Sequence, residues 1–130
     1  MKYVFPAIIT QEDGAYSVTF PDIKNCFTDG ADLCEAVENA KDVLDLMLMT
    51  MEDAKEKIPQ PSNAADLERG ADAIVTLVGA DTTEYRKQYG NYAVKKTLSI
   101  PAWMNTLAEQ KGVNFSSLLQ KALRAELEIA

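Results

Sequence analysis

The sequence contains no histidine, and among its 130 residues are only two cysteines and one tryptophan. Without an imidazole, the side chain best suited to proton transfer near neutral pH is missing, so acid-base chemistry would fall to carboxylates. Cys26 and Cys34 are too few and too wrongly spaced for a zinc site, and no histidine completes one. Free thiols in a reducing compartment are the default. Long apolar runs are also lacking: none reaches the roughly 18 residues of a membrane span, and the strand-like stretch after Lys2 is too short for a secretion signal. The cytoplasm is therefore the expected compartment, and neither a metal nor any other cofactor is expected.

Basic residues are scarce and unevenly placed. Residues 1–80 carry six basic against fifteen acidic side chains, a net of −9, whereas residues 81–130 carry seven against five, a net of +2, which together give the formal −7. Phosphate neutralisation supplies most non-specific affinity for nucleic acid, so any such contact is confined to the C-terminal part. The acidic part suits a basic partner, although an acid excess also serves solubility.

The C-terminal part has a simple pattern. From Ala93 to Ile100, Val94, Leu98 and Ile100 share one parity and Lys95, Thr97 and Ser99 the other, with Lys96 the misfit, which is the alternation of a half-buried strand. Pro101 suits the start of a helix that runs through Trp103 and Leu107 to a stop at Gly112. Asn114 is placed to cap a second helix, whose Phe115, Leu118, Leu119, Ala122 and Leu123 form one stripe. A single strand cannot satisfy its own backbone, and a segment of roughly 40 residues seldom closes a core alone, so residues 93–130 are expected to dimerise.

In residues 1–80, Tyr3 to Ile9 and Tyr16 to Phe20 flank the turn at Gln11–Gly14 as a hairpin, with Pro6 implying an edge or a bulge. Asn25 to Thr28 reads as a brief third strand. Asp32 and Glu35 form a capping box for a long helix, whose stripe from Leu33 through Val37, Leu44 and Leu48 to Met51 is expected to cover the sheet. Leu46 and Met49 project from the opposite side among Asp42, Asp45 and Glu38; they are either ordinary exposed apolar residues or a partner contact. Ala73 to Val78 is a fourth strand, apolar enough to be central. Residues 81–92 read as a short helix and linker, Asp81 and Glu84 being placed to cap it.

The order strand, Pro-started helix, Gly stop, Asn-capped helix resembles the ribbon-helix-helix family. That resemblance implies a two-stranded ribbon in the major groove, with Lys95, Thr97 and Ser99 facing base edges and Asn114 and Ser116 at a helix N-terminus suited to phosphate. The order β-β-β-α-β, with Phe20-Pro21-Asp22 before Cys26-Phe27-Thr28-Asp29-Gly30 and then Leu33-Cys34-Glu35-Ala36, resembles the HicB-type antitoxins. The chain departs from their pattern at Lys24-Asn25, where a Pro-Gly pair is usual. The fold class expected is α+β: a truncated ribonuclease-H-like or half-ferredoxin-like domain over residues 1–80, a linker over 81–92 and a ribbon-helix-helix domain over 93–130.

The resemblance implies an antitoxin that binds a HicA-like ribonuclease toxin, represses its own operon through operator DNA and dimerises through residues 93–130, with higher oligomers open. Asp22, Leu46 and Met49 are the candidate toxin contacts. The alternative is a stand-alone ribbon-helix-helix regulator whose acidic domain senses a ligand. Catalysis is not expected, because two-metal hydrolysis needs carboxylates converging from strands and Tyr3 to Ile9 contains none.

Overall fold

In the computed structural model, residues 1–129 are described, and the chain divides into two units, Met1–Tyr92 and Ala93–Ala130. In the first, strands β1 (Lys2–Glu12), β2 (Ala15–Thr19) and β3 (Phe27–Gly30) precede helix α1 (Leu33–Asp53), and strand β4 (Ala73–Asp81) and helix α2 (Thr82–Tyr89) follow it. The second contains α3 (Ala102–Lys111) and α4 (Phe115–Glu126).

The hairpin closes on Asp13 and Gly14, both at positive φ, which matches the right-handed twist of the strands it joins. All neighbours in the sheet are antiparallel, in the order β3-β2-β1-β4. That order corrects one expectation: β4, although almost wholly apolar, lies at an edge. Its apolar character serves two ends, since Val78 and Ala80 are buried while Ile74 and Leu77 are exposed. Pro6 is explained in turn. β1 pairs with β4 along nearly its whole length but with β2 only from Ile8 onward, so at Pro6 the strand has one neighbour.

Phe5, Ala7 and Ile9 share a parity on β1, and with Val18 and Val78 they pack beneath Ala36, Ala40, Leu44 and Leu48 of α1. Each fully buried large apolar side chain contributes roughly 1.5–3 kcal/mol. Small residues set the closest approach: a Cβ at Gly30 would stand 2.6 Å from the Cα of Ala36. Asp32 begins α1 as expected, its carboxylate accepting from the Glu35 N–H at 2.8 Å. At the Lys24-Asn25 departure, Asn25 adopts φ 60°, a left-handed conformation that asparagine tolerates better than most residues. The third strand begins later than the sequence suggests, because Phe20 N–H bonds to the Cys26 carbonyl and holds residues 20–26 as a turn.

The helix stripe also needs correction. Leu33 and Val37 are exposed, whereas Asp45, read as outward, is buried at 4% exposure. Its carboxylate accepts from Lys41 Nζ at 2.8 Å and from the Asp81 N–H at 3.0 Å, which satisfies the group that burial would otherwise destabilise.

Candidate functional site

In the second unit, Gly112 ends α3 in the left-handed conformation at φ 73°, its N–H bonding back to the Ala108 and Glu109 carbonyls. Two residues later Asn114 starts α4, its side chain accepting from the Ser117 N–H at 3.0 Å. Ser116 is exposed in that first turn. A helix start of this kind presents free N–H groups and the positive end of the helix dipole, which together favour an anion.

Residues 93–100 do not form the strand their alternation suggests. Strand hydrogen bonds need a neighbouring strand, and none lies beside this segment among the described residues of the chain. Lys95, Thr97 and Ser99 are exposed, and so are Val94, Leu98 and Ile100 of the other parity. No described residue of α3 or α4 is buried. Leu98, Ile100, Phe115, Leu118 and Leu119 line an open groove instead, an apolar face without a cover.

The first unit scatters the three acidic-domain candidates. Asp22 is not a free carboxylate: it accepts from both the hydroxyl and the N–H of Ser62, tying the turn after β2 to the segment between α1 and β4. Leu46 is exposed and Met49 half-buried on α1. Beside them packs α2, where Met49, Asp53, Arg86, Tyr89 and Tyr92 line a shallow concavity. The Tyr85 and Tyr89 rings are in contact at 4.6 Å, and Tyr89 and Tyr92 are exposed. Tyrosine, methionine and arginine, which all line this concavity, are residue types enriched in protein contacts.

What holds α2 there is a set of polar bonds centred on Glu52. The carboxylate accepts from Tyr3 Oη at 2.8 Å, from Thr82 Oγ1 at 2.8 Å and from Arg86 Nη2 at 3.2 Å, and Arg86 also reaches Asp53 at 2.8 Å. Burial alone would raise the Glu52 carboxyl, but the three donors outweigh it and hold the group below the ordinary glutamate range. The Tyr3 hydroxyl is pushed up to about 12 by burial and by its bond to Glu52. These partners lie far apart in sequence, and no local pattern marks them as a group.

Neither thiol is poised as a nucleophile. Burial raises Cys26 to about 11, and the Glu38 carboxylate beside Cys34 raises that thiol as well.

Comparison with known proteins gives a consistent result. The sequence pattern of the HicB-like antitoxins of bacterial toxin-antitoxin systems matches residues 5–123. A chain of the toxin-antitoxin complex from Streptococcus pneumoniae superposes with a TM-score of 0.62 and 26% identity, over 97% of this chain and 99% of that one. The antitoxin HicB of Burkholderia pseudomallei shares the fold, with a TM-score of 0.54 and 22% identity, over 93% of this chain and 96% of that one. An uncharacterised 14.9 kDa protein from the rep-hol intergenic region of Haemophilus phage HP1 is 28% identical over 102 residues, which covers 76% of this chain and 74% of the phage protein.

Proposed function

Since the chain belongs to the HicB-like antitoxin family of bacterial toxin-antitoxin systems, we propose that its acidic unit neutralises a HicA-like toxin while its C-terminal unit dimerises as a ribbon-helix-helix and represses the operon. The observation that carries the second half is the uncovered apolar face of the C-terminal unit, where no residue of α3 or α4 is buried and the alternating segment before them lacks a strand partner among the described residues. A second copy supplies both needs at once, pairing the segments antiparallel and covering Leu98, Ile100, Phe115 and Leu118.

In that dimer, Lys95, Thr97 and Ser99 stand on the ribbon face toward base edges. Lysine donates to guanine, and the hydroxyls donate or accept. Asn114 and Ser116 place the α4 N-terminus against a phosphate, which sets position rather than sequence preference. For the toxin, the patch of Leu46 and Met49 beside Tyr89 is the proposed contact. The net of −9 over residues 1–80 favours a basic ribonuclease, a surface built to hold phosphates. Asp22 enters this reading only as a support of its loop, since Ser62 occupies its carboxylate.

The test is a double variant, Lys95→Ala with Thr97→Ala, assayed on the promoter fragment of its own operon and against its toxin. Operator binding is expected to fall at least a hundredfold, with toxin neutralisation unchanged, each lost base contact being worth roughly 1–3 kcal/mol. Undiminished operator binding would remove the ribbon from the DNA interface.

A further inference from the structure

Lys96 is the one residue of the alternating segment whose place a half-buried strand leaves unexplained. It shares the parity of Val94, Leu98 and Ile100, and it lines the same open groove as Leu98, Ile100 and Phe115. The other polar side chain of that groove is Asn105, whose amide nitrogen donates to the Glu109 carboxylate at 3.4 Å. The lysine stem therefore has apolar side chains to lie along, and its ammonium has a polar end of the groove to turn to. In the single chain Lys96 is exposed. In the dimer proposed for residues 93–130, on which this inference rests, its charge faces whichever residue of the other strand lies opposite.

We propose that Lys96 fixes the register of the ribbon and sets Thr97 on its two-fold axis. Opposite residues of an antiparallel pair point to the same face, so the groove is covered only in registers that match the apolar parity with itself. For two identical strands, each such register places one residue on the axis. Centred on Lys96, the strands pair from Tyr92 to Ile100, but two ammonium groups meet on the groove side. Centred on Lys95, two ammonium groups meet on the outer face, and Lys96 lies opposite Val94. Centred on Leu98, pairing is confined to residues 96–100, because Pro101 follows and lacks the N–H to extend the ladder. Only with Thr97 on the axis does every residue from Val94 to Ile100 pair without two lysines opposite each other. Val94 then faces Ile100 of the other copy, Lys96 faces Leu98 and Lys95 faces Ser99. Like charges directly opposite destabilise a pair, and they do so most where apolar side chains exclude water. Lys96 therefore acts by excluding the slipped register centred on itself. The outer face that results carries paired threonines at its centre and one lysine on either side.

The test uses the full-length chain in a Cys34→Ser background, Cys26 being buried, with its mass measured by light scattering before oxidation. Opposite residues of antiparallel strands have Cα atoms about 4.5 or 5.5 Å apart, within disulfide reach, whereas diagonal neighbours stand about 7–8 Å apart, beyond it. Thr97→Cys should therefore oxidise to a linked dimer, and Leu98→Cys, diagonal to its own counterpart, should link about fivefold less. Adding Lys96→Leu to Thr97→Cys should leave the dimer mass unchanged while linkage falls about threefold, as the slipped register fills. Lys96→Arg in its place should keep linkage at the parent level. A dimer that links through Leu98→Cys in preference to Thr97→Cys would overturn the register. Linkage undiminished by Lys96→Leu would remove the lysine as its cause, and a Lys96→Leu chain of monomer mass would assign the lysine to stability instead. A parent chain of monomer mass would overturn the dimer itself, an outcome distinct from a dimer linked at the wrong residue.

Discussion

The two units of the chain solve the problem of burial in opposite ways. In Met1–Tyr92, one helix lies on a four-stranded sheet and thirteen apolar residues are buried, Phe5, Phe20, Leu44 and Leu48 almost completely. In the C-terminal unit the helices are equally well formed and capped at Gly112 and Asn114, yet none of their described residues is buried. Caps and periodicity specify where a helix starts and stops, but its stability comes from the face it buries. The first unit buries such a face within itself, and the second, taken by itself, does not.

The sharpest way to break this contrast is a pair of equivalent truncations, one in each unit. Leu44→Ala empties a fully buried site and is expected to lower the stability of the first unit by about 2–5 kcal/mol in urea unfolding. Leu118→Ala removes a side chain that is 56% exposed in the single chain, so a monomeric unit would lose little. If the C-terminal unit is a dimer, the loss rises to about 2 kcal/mol or more per chain, with a parallel fall in operator affinity. A Leu118→Ala chain as stable as its parent at every concentration would remove Leu118 from the dimer core.

A smaller effect tests how tightly the first unit is closed. Gly30→Ala sets a methyl group against the backbone of Ala36 at the start of α1, where no flexible side chain gives way. The expected cost is about 1–3 kcal/mol, measured as a shift of the urea midpoint at constant slope. No change would mean that α1 lifts from β3 without penalty, and the first unit would then resemble the second more than its buried core suggests.

The sequence is a good guide where cause and effect are local. The Asp13-Gly14 turn, the Asp32 cap, the Asn114 cap and the Gly112 stop all follow from residues within a few positions of one another. Sheet order is not local: β4 has the composition of a central strand, but its place depends on which strand pairs with β1, and its apolar edge looks the same from sequence in either position. Asp45 is misread for a similar reason. A helical wheel places it outside the stripe, while the Asp81 N–H that satisfies it comes from a strand 36 residues later. Of the candidate site, Asn114 was legible because its cap bond lies within α4. The bond of Asp22 to Ser62, 40 residues away, was not. The alternation of residues 93–100 is plain to read, yet alternation defines a face, and a strand requires a neighbour.

The smallest expected effect concerns the attachment of α2 to the closed unit. Glu52 accepts bonds from Tyr3, Thr82 and Arg86, and these hold its carboxyl below the ordinary range despite burial. A group with a lowered folded pKa contributes its full stabilisation above its unfolded pKa, about 4.3 for glutamate, and loses it as pH falls through the folded value. Stability of the wild-type chain should therefore drop between neutral pH and that acid range more steeply than that of Glu52→Gln. At neutral pH the variant should be less stable by about 1–2 kcal/mol, because a neutral amide replaces the charged acceptor of three donors. The difference between the two chains should shrink toward zero as Glu52 takes up its proton. Urea midpoints measured for both chains from pH 7 down to pH 3 give the comparison directly. Parallel curves would mean that α2 is held by Asp53 and by packing rather than by Glu52, and that the first unit ends in a looser contact than its hydrogen bonds imply.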